Sequence, residues 1–186
     1  MKTLILNPDF YKSAILLENK KRTFNTCIVC QKMLKIFNAQ STNEFKTVPN
    51  YRLWQPYQEA LKLYYNCLLK VCKEIHGYHT KYEFMPIDIE KLQFPNLTDL
   101  TFKSHQAFCI DLSSELYYPK FKENKDFNGG ILIWEYDIFK NGEMIHVAED
   151  LNGVYNKEKL AKNIGDIDIK SYDLFEINKQ NIEFFK

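Results

Sequence analysis

Tyr57-Gln58-Glu59-Ala60-Leu61-Lys62-Leu63-Tyr64-Tyr65-Asn66-Cys67-Leu68-Leu69-Lys70-Val71-Cys72-Lys73-Glu74-Ile75 carries the strongest periodic signal in the chain. Leu61, Tyr64, Tyr65, Leu68, Leu69 and Cys72 recur at three- and four-residue steps, the spacing that lays side chains along one face of an α-helix. Pro56 suits the first turn of that helix, and Gly77 suits its C-terminal stop. Upstream, Cys27, Cys30, Met33, Leu34 and Phe37 share one face, which predicts a second helix over residues 26–37. Residues 40–50, with Ser, Thr, Asn and Pro49, read as a loop. Lys20-Lys21-Arg22-Thr23 forms a basic junction, and Asp9, after the turn Asn7-Pro8, is an N-cap for a short helix through Leu17. Downstream, Pro86 and Pro95 mark residues 85–99 as irregular. A helix over residues 100–117 then ends before Pro119.

Beyond a polar boundary at residues 122–130 the period changes. Leu132, Trp134, Tyr136 and Ile138 alternate with Ile131, Ile133, Glu135 and Asp137, as strand residues do. Asn141-Gly142 is the strongest short hairpin signal, and residues 144–147 supply the returning strand. A short helix over residues 157–164 ends at Gly165, and the alternation over residues 167–185 suggests a further strand. The expected fold is a mainly α N-terminal domain over residues 1–124, with a small α+β hairpin-helix module over residues 125–186.

A hydrophobic share of 45% and an aromatic share of 15% over 186 residues are ample for a core. Leu4-Ile5-Leu6 is cut at once by Asn7-Pro8-Asp9, so no secretory segment is read, and the apolar runs fall far short of a membrane span. No membrane association and a cytoplasmic location are expected, the host cytoplasm for a viral chain. Five cysteines, an odd number, then read as reduced thiols. Residues 1–83 carry 13 Lys and Arg against 6 Asp and Glu, a balance of +7; residues 84–186 carry 12 against 18, a balance of −6. The first part suits a polyanion and the second does not. Only Arg22 and Arg52 are arginine among 25 cations. With the abundance of Lys, Asn, Ile, Phe and Tyr, this bias suggests an AT-rich genome of a phage, a large virus or a low-GC bacterium.

Asn7-Pro8-Asp9-Phe10 with Ser13-Ala14 and Leu17, Pro49-Asn50-Tyr51-Arg52-Leu53-Trp54-Gln55-Pro56-Tyr57-Gln58-Glu59-Ala60-Leu61, Gly77-Tyr78, Phe102-Lys103-Ser104-His105-Gln106-Ala107 and Glu115-Leu116-Tyr117-Tyr118-Pro119 occur in one order. Together they resemble the pyrimidine-dimer DNA glycosylases of the phage endonuclease V type over residues 3–121. The resemblance implies a compact helical domain, DNA as partner, and a DNA repair role as glycosylase and lyase. In that chemistry the N-terminal amine attacks C1′ of the damaged nucleotide and forms a Schiff base, assisted by a glutamate on the second helix. An α-amine suits this, since its pKa of about 7.7–8.0 leaves an unprotonated fraction at neutral pH. Lys2 is large enough to keep Met1 in place, so Met1 would carry the amine. At the position of the assisting acid stands Asn25-Thr26-Cys27-Ile28, which holds no carboxylate, and Gln106 stands where the family has arginine. The alternatives are therefore an active glycosylase, a non-catalytic nucleotide or nucleic-acid binder on the same scaffold, and an interaction or assembly protein of viral or phage origin.

Met1 is the candidate catalytic residue. Lys20, Lys21, Arg22, Arg52, Lys103 and His105 are the candidate nucleic-acid contacts, expected around one concave surface with Met1. Each has a bland counterpart: a solvated lysine cluster for residues 20–22, a local pairing for Arg52, and a structural donor for His105. Trp54, Tyr64-Tyr65 and Tyr117-Tyr118 are either base platforms or core aromatics. Cys27 and Cys30, with Cys72, His76 and His79, have spacings zinc uses, yet the first two lie on the apolar stripe and read as buried, unbridged thiols. No metal and no cofactor is expected. A protein partner is expected through the C-terminal module.

Overall fold

The structure, a computed structural model, describes residues 5–38, 49–125, 127, 132–150, 153–154 and 170–186. Its elements in chain order are α1 (Phe10–Leu16), α2 (Lys20–Asn38), α3 (Pro49–Trp54), α4 (Gln58–Glu74), a 3-10 turn (Ile89–Lys91), α5 (Asp99–Leu112) and α6 (Ser114–Phe121). A second 3-10 turn (Lys122–Asn124), β1 (Trp134–Lys140), β2 (Glu143–Asp150), β3 (Gly153–Val154), α7 (Leu174–Ile177) and α8 (Lys179–Phe184) follow. The described residues are mainly helical with one small antiparallel sheet, and none of their helices is long and apolar enough to cross a membrane.

They group into two compact units. The first holds the described residues up to Pro95 together with Asp173–Lys186; the second is Asn96–Tyr172. The boundary expected at residues 124 and 125 falls inside the second unit.

In the first unit α4 is the central helix, packing against α1 and α2. Leu61, Tyr64, Leu68, Leu69 and Cys72 are wholly buried, as the stripe predicts. Each such leucine contributes about 1.5–3 kcal/mol through burial. Phe10 of α1 meets the edges of Trp54 and Tyr64 at 6.0 and 5.2 Å, and the Ser13 hydroxyl lies 3.2 Å from the Tyr64 hydroxyl. Asp9 caps α1 as expected, accepting from the Tyr11 and Lys12 amides. Trp54, Tyr64, Tyr65 and Tyr117 are buried, so these are core aromatics rather than base platforms; only Tyr118 is exposed.

Several elements differ from expectation: Pro49 and Asn50, read as the end of a loop, begin α3, and Pro56 lies before α4 rather than in its first turn. The basic run is not a junction but the first turn of α2: Asn19 Oδ1 accepts from the Lys21 and Arg22 amides and starts the helix six residues early. The helix predicted over 100–117 is two helices, broken where Ser113 leaves helical geometry at φ −162 and ψ 83. The second of these runs past Pro119, whose missing N–H would have met the carbonyl of exposed Glu115. The tail is helical instead of a strand. Leu174, Asn178 and Ile182 fall at four-residue steps and are buried, and Asp173 Oδ1 caps α7 through the Glu176 amide. Asn178 then ties the tail to the start of the chain, accepting from the Phe10 amide and donating to the Pro8 carbonyl, both at 2.9 Å.

In the second unit β1 pairs with β2 around Asn141-Gly142, both residues at positive φ (54 and 86), which is the geometry the sequence predicts. A short β3 extends the sheet in the order β1-β2-β3. Leu100, Ala107, Phe127 and Ile133 form a core against Ala148, which seats α5 on the sheet. The helix expected over residues 157–164 lies outside the described residues.

Candidate functional site

In the first unit the basic turn of α2 meets the far end of α4. α4 stops where Gly77 takes the left-handed φ of +56, and the Tyr78 amide donates back to the Cys72 carbonyl at 2.8 Å. That reversal stacks the Tyr78 ring on Phe24 of α2, with centroids 4.4 Å apart and planes at 24°. The Lys20 ammonium lies 4.8 Å from the Tyr78 ring centre, a cation–π distance. Thr23 Oγ1 lies 3.3 Å from His76 Nε2 and adds a second tie between the same helix ends. Beside them opens a pocket of about 490 Å³ lined by Lys73, Tyr78, His79, Thr80 and Lys81. Its lining holds two lysines and no carboxylate. Lys20 and Lys21 are exposed, and α2 has no acidic residue in its first turn. Cations at a helix N-terminus oppose the helix dipole, so an anion bound there relieves both.

Arg52 is not part of this group. It sits in the last turn of α3, beside Tyr51, whose ring packs on Phe37 at 4.7 Å. Phe37 is at the opposite end of α2 from Arg22, so the two arginines are separated by roughly 20 Å along that helix.

Lys103 and His105 belong to α5 in the second unit. Lys103 is ion-paired with Asp99 at 3.0 Å. His105 is wholly buried, its ring edge against Trp134 at 5.6 Å. A histidine at 0% exposure offers no surface contact to a nucleic acid. Met1 lies outside the described residues. Of the expected contacts in the first unit, Lys20, Lys21 and Arg22 fall together in one turn and Arg52 does not join them.

A cluster missed in the sequence lies at the root of the hairpin. Glu135, 1% exposed, accepts from the Thr98 amide at 2.9 Å, the Thr98 hydroxyl at 2.7 Å, the Thr101 hydroxyl at 2.9 Å and His146 Nε2 at 3.0 Å. His146 Nδ1 reaches Asp137 at 2.8 Å. Burial alone would raise the Glu135 pKa, but the hydrogen bonds from His146, Thr98 and Thr101 outweigh it and hold the carboxyl below its ordinary range. The bond to Glu135, with Asp137 beyond, raises His146 against the opposing effect of burial. The arrangement favours an imidazolium donating from both nitrogens, which leaves no lone pair for base catalysis. Close by, Tyr172 donates to Asp99, and burial with that carboxylate pushes the phenol up to about 12. The hairpin register pairs Asp137 with His146, so alternation counted back from Asn141-Gly142 was the available signal.

All five cysteines are buried and unbridged. Burial pushes Cys27 and Cys30 well up and Cys72 to about 11, away from thiolate chemistry. Among the described residues no three His, Cys, Asp or Glu side chains gather as metal ligands. Comparison of the chain with family models, with characterised proteins and with solved structures found no match.

Proposed function

We propose that the protein binds nucleic acid through the basic, aromatic-walled end of its first unit. The observation that carries this reading is the placement of Lys20 over Tyr78 at the rim of the pocket of Lys73, Tyr78, His79 and Lys81, with Lys21 and Arg22 next to Lys20 in the first turn of α2. Lys20, Lys73 and Lys81 surround Tyr78, the pocket lining holds no carboxylate, and Lys21 and Arg22 add two cations in the same turn of α2 as Lys20. Phosphates are the anions that such a repeated, spaced set of cations serves. The resemblance to the pyrimidine-dimer glycosylases supports DNA as the polymer. Binding should weaken steeply with salt, with log K falling against log salt by roughly 3–4 when all five cations meet phosphates of a single strand. A flat salt profile between low and physiological ionic strength sinks this reading.

The lyase step is the finer proposal: the Met1 amine attacks C1′ of an abasic or damaged nucleotide, and the resulting imine permits strand cleavage. Borohydride reduction on abasic DNA converts that imine to a stable amine. A covalent protein–DNA adduct, lost when Met1 is acetylated, is the expected result for an active enzyme. Salt-sensitive binding without an adduct assigns a non-catalytic binder.

One observation favours a second reading, an assembly protein docking through the hairpin. Phe139 and Met144, paired across the turn, are 74% and 68% exposed. Concentration-dependent self-association abolished by Phe139→Ser and Met144→Ser, with no DNA binding at low salt, would favour it.

A further inference from the structure

We infer that the pocket beside Tyr78 is a single-strand site, in which a base stacks on Tyr78 while Lys73 and Lys81 hold the flanking phosphates. The inference rests on the nucleic-acid reading above and names the form of polymer it takes. Phe24, Tyr78 and Tyr82 form a short aromatic series: Phe24 lies 4.4 Å from Tyr78 and 5.9 Å from Tyr82. Lysines alternate with it, Lys20 over Tyr78 and Lys73 and Lys81 in the pocket wall. Aromatic faces interleaved with cations suit a strand whose bases are unpaired, because every base offers a π-face and every link a phosphate. A duplex keeps its bases stacked on each other and presents phosphates alone. Such a surface needs cations but not the tyrosine ring or the concavity. A pocket of about 490 Å³ is within the range that takes one small ligand, and so one everted nucleotide rather than a helix. Lys20 is on an exposed stem. It can leave the ring for a phosphate when a base takes its place.

The test is fluorescence anisotropy at low salt, with labelled oligothymidylate and a labelled duplex of equal length, on the full chain. The expected result is tighter binding of the single strand by about tenfold, with Tyr78→Leu removing most of that difference, Tyr78→Phe retaining it, and Lys73→Gln with Lys81→Gln weakening both polymers. Equal affinity for the two polymers, or a Tyr78→Leu loss shared equally between them, overturns the inference and leaves the nucleic-acid reading standing. No binding of either polymer overturns both. Since Tyr78 packs on Phe24, a leucine variant that does not fold is replaced by a measurement on the unaltered protein. Photocrosslinking to a 5-iodouracil strand should then mark Tyr78, and crosslinks confined to other residues overturn the proposal.

Discussion

Glu135 and His146 show how one buried charge is made tolerable. A carboxylate at 1% exposure is costly unless its oxygens are occupied, and here two threonines of the α5 start and one imidazole of β2 occupy them. The pH dependence follows from the two shifts. His146 is raised above its ordinary 6.5, so its stabilisation is complete below that value and is lost as pH rises through the folded pKa. Glu135 is lowered from its ordinary 4.5, so its stabilisation is complete above that value and is lost as pH falls through the folded pKa. The pair therefore stabilises the second unit most between 4.5 and 6.5 and less on the alkaline side. Thermal melts carried upward from pH 6.5 should show Tm falling as His146 deprotonates, and His146→Gln should flatten that limb. A wild-type profile as flat as the variant's defeats the assignment. Glu135→Gln should destabilise the unit by about 3–5 kcal/mol, because it removes the charge that both threonines and the imidazole face. Chemical denaturation gives that number directly.

Among the elements, local chemistry and tertiary packing divide the work unevenly. The turn of the hairpin is local: Asn141 and Gly142 hold positive φ, and open space surrounds the position a Gly142 side chain would take. Gly142→Ala should therefore cost only its backbone strain, about 1–2 kcal/mol, with loss of hydrogen-exchange protection confined to β1 and β2. Undiminished protection in that variant would count against the left-handed turn. α1 is both local and tertiary at its start. Asp9 Oδ1 both caps it and accepts from Asn181 of α8 at 3.1 Å. Asp9→Ala should cost about 1–2 kcal/mol in urea denaturation, the range of a lost cap. The period of α4 and the Asn-Gly turn were legible because each needs only a few neighbouring residues. The start of α2 was not, since Asn19 and a polar first turn carry no apolar period. The C-terminal helices were misread because residues 174, 178 and 182 are a helical face only when the other unmatched apolar residues, such as exposed Phe175 and Phe184, are set aside.

For the whole molecule, the tail and four of the five thiols report on the first unit. The Asn178 side chain joins α7 to the segment before α1, and Leu174 and Ile182 are buried beside it. Asn178→Ala leaves the Phe10 amide unsatisfied and should cost about 1–3 kcal/mol, read as a lower urea midpoint. A neutral result would show that the tail is not needed for the unit's stability. Cys27, Cys30, Cys67 and Cys72 should resist a thiol reagent in the native protein and react together on unfolding of the first unit, because burial both shields them and raises their pKa. Fast labelling of Cys27 or Cys30 under native conditions would show the α2–α4 packing to be wrong.

From the sequence by itself came the helical character of the first part, the cap of α1 and the stop of α4, the hairpin with its turn, the buried thiols, and the basic run at residues 20–22. Each rests on a short-range rule of spacing, capping or charge. Only the tertiary structure decided what those pieces adjoin. It set Lys20 over Tyr78 beside Lys73 and Lys81, placed Arg52 at the other end of α2, buried His105, and brought Glu135 to the start of α5. The physical reason is that a helix period specifies which face is buried but not its partner, and Lys20 and Tyr78, His105 and Trp134, and Glu135 and Thr98 are each distant in the chain.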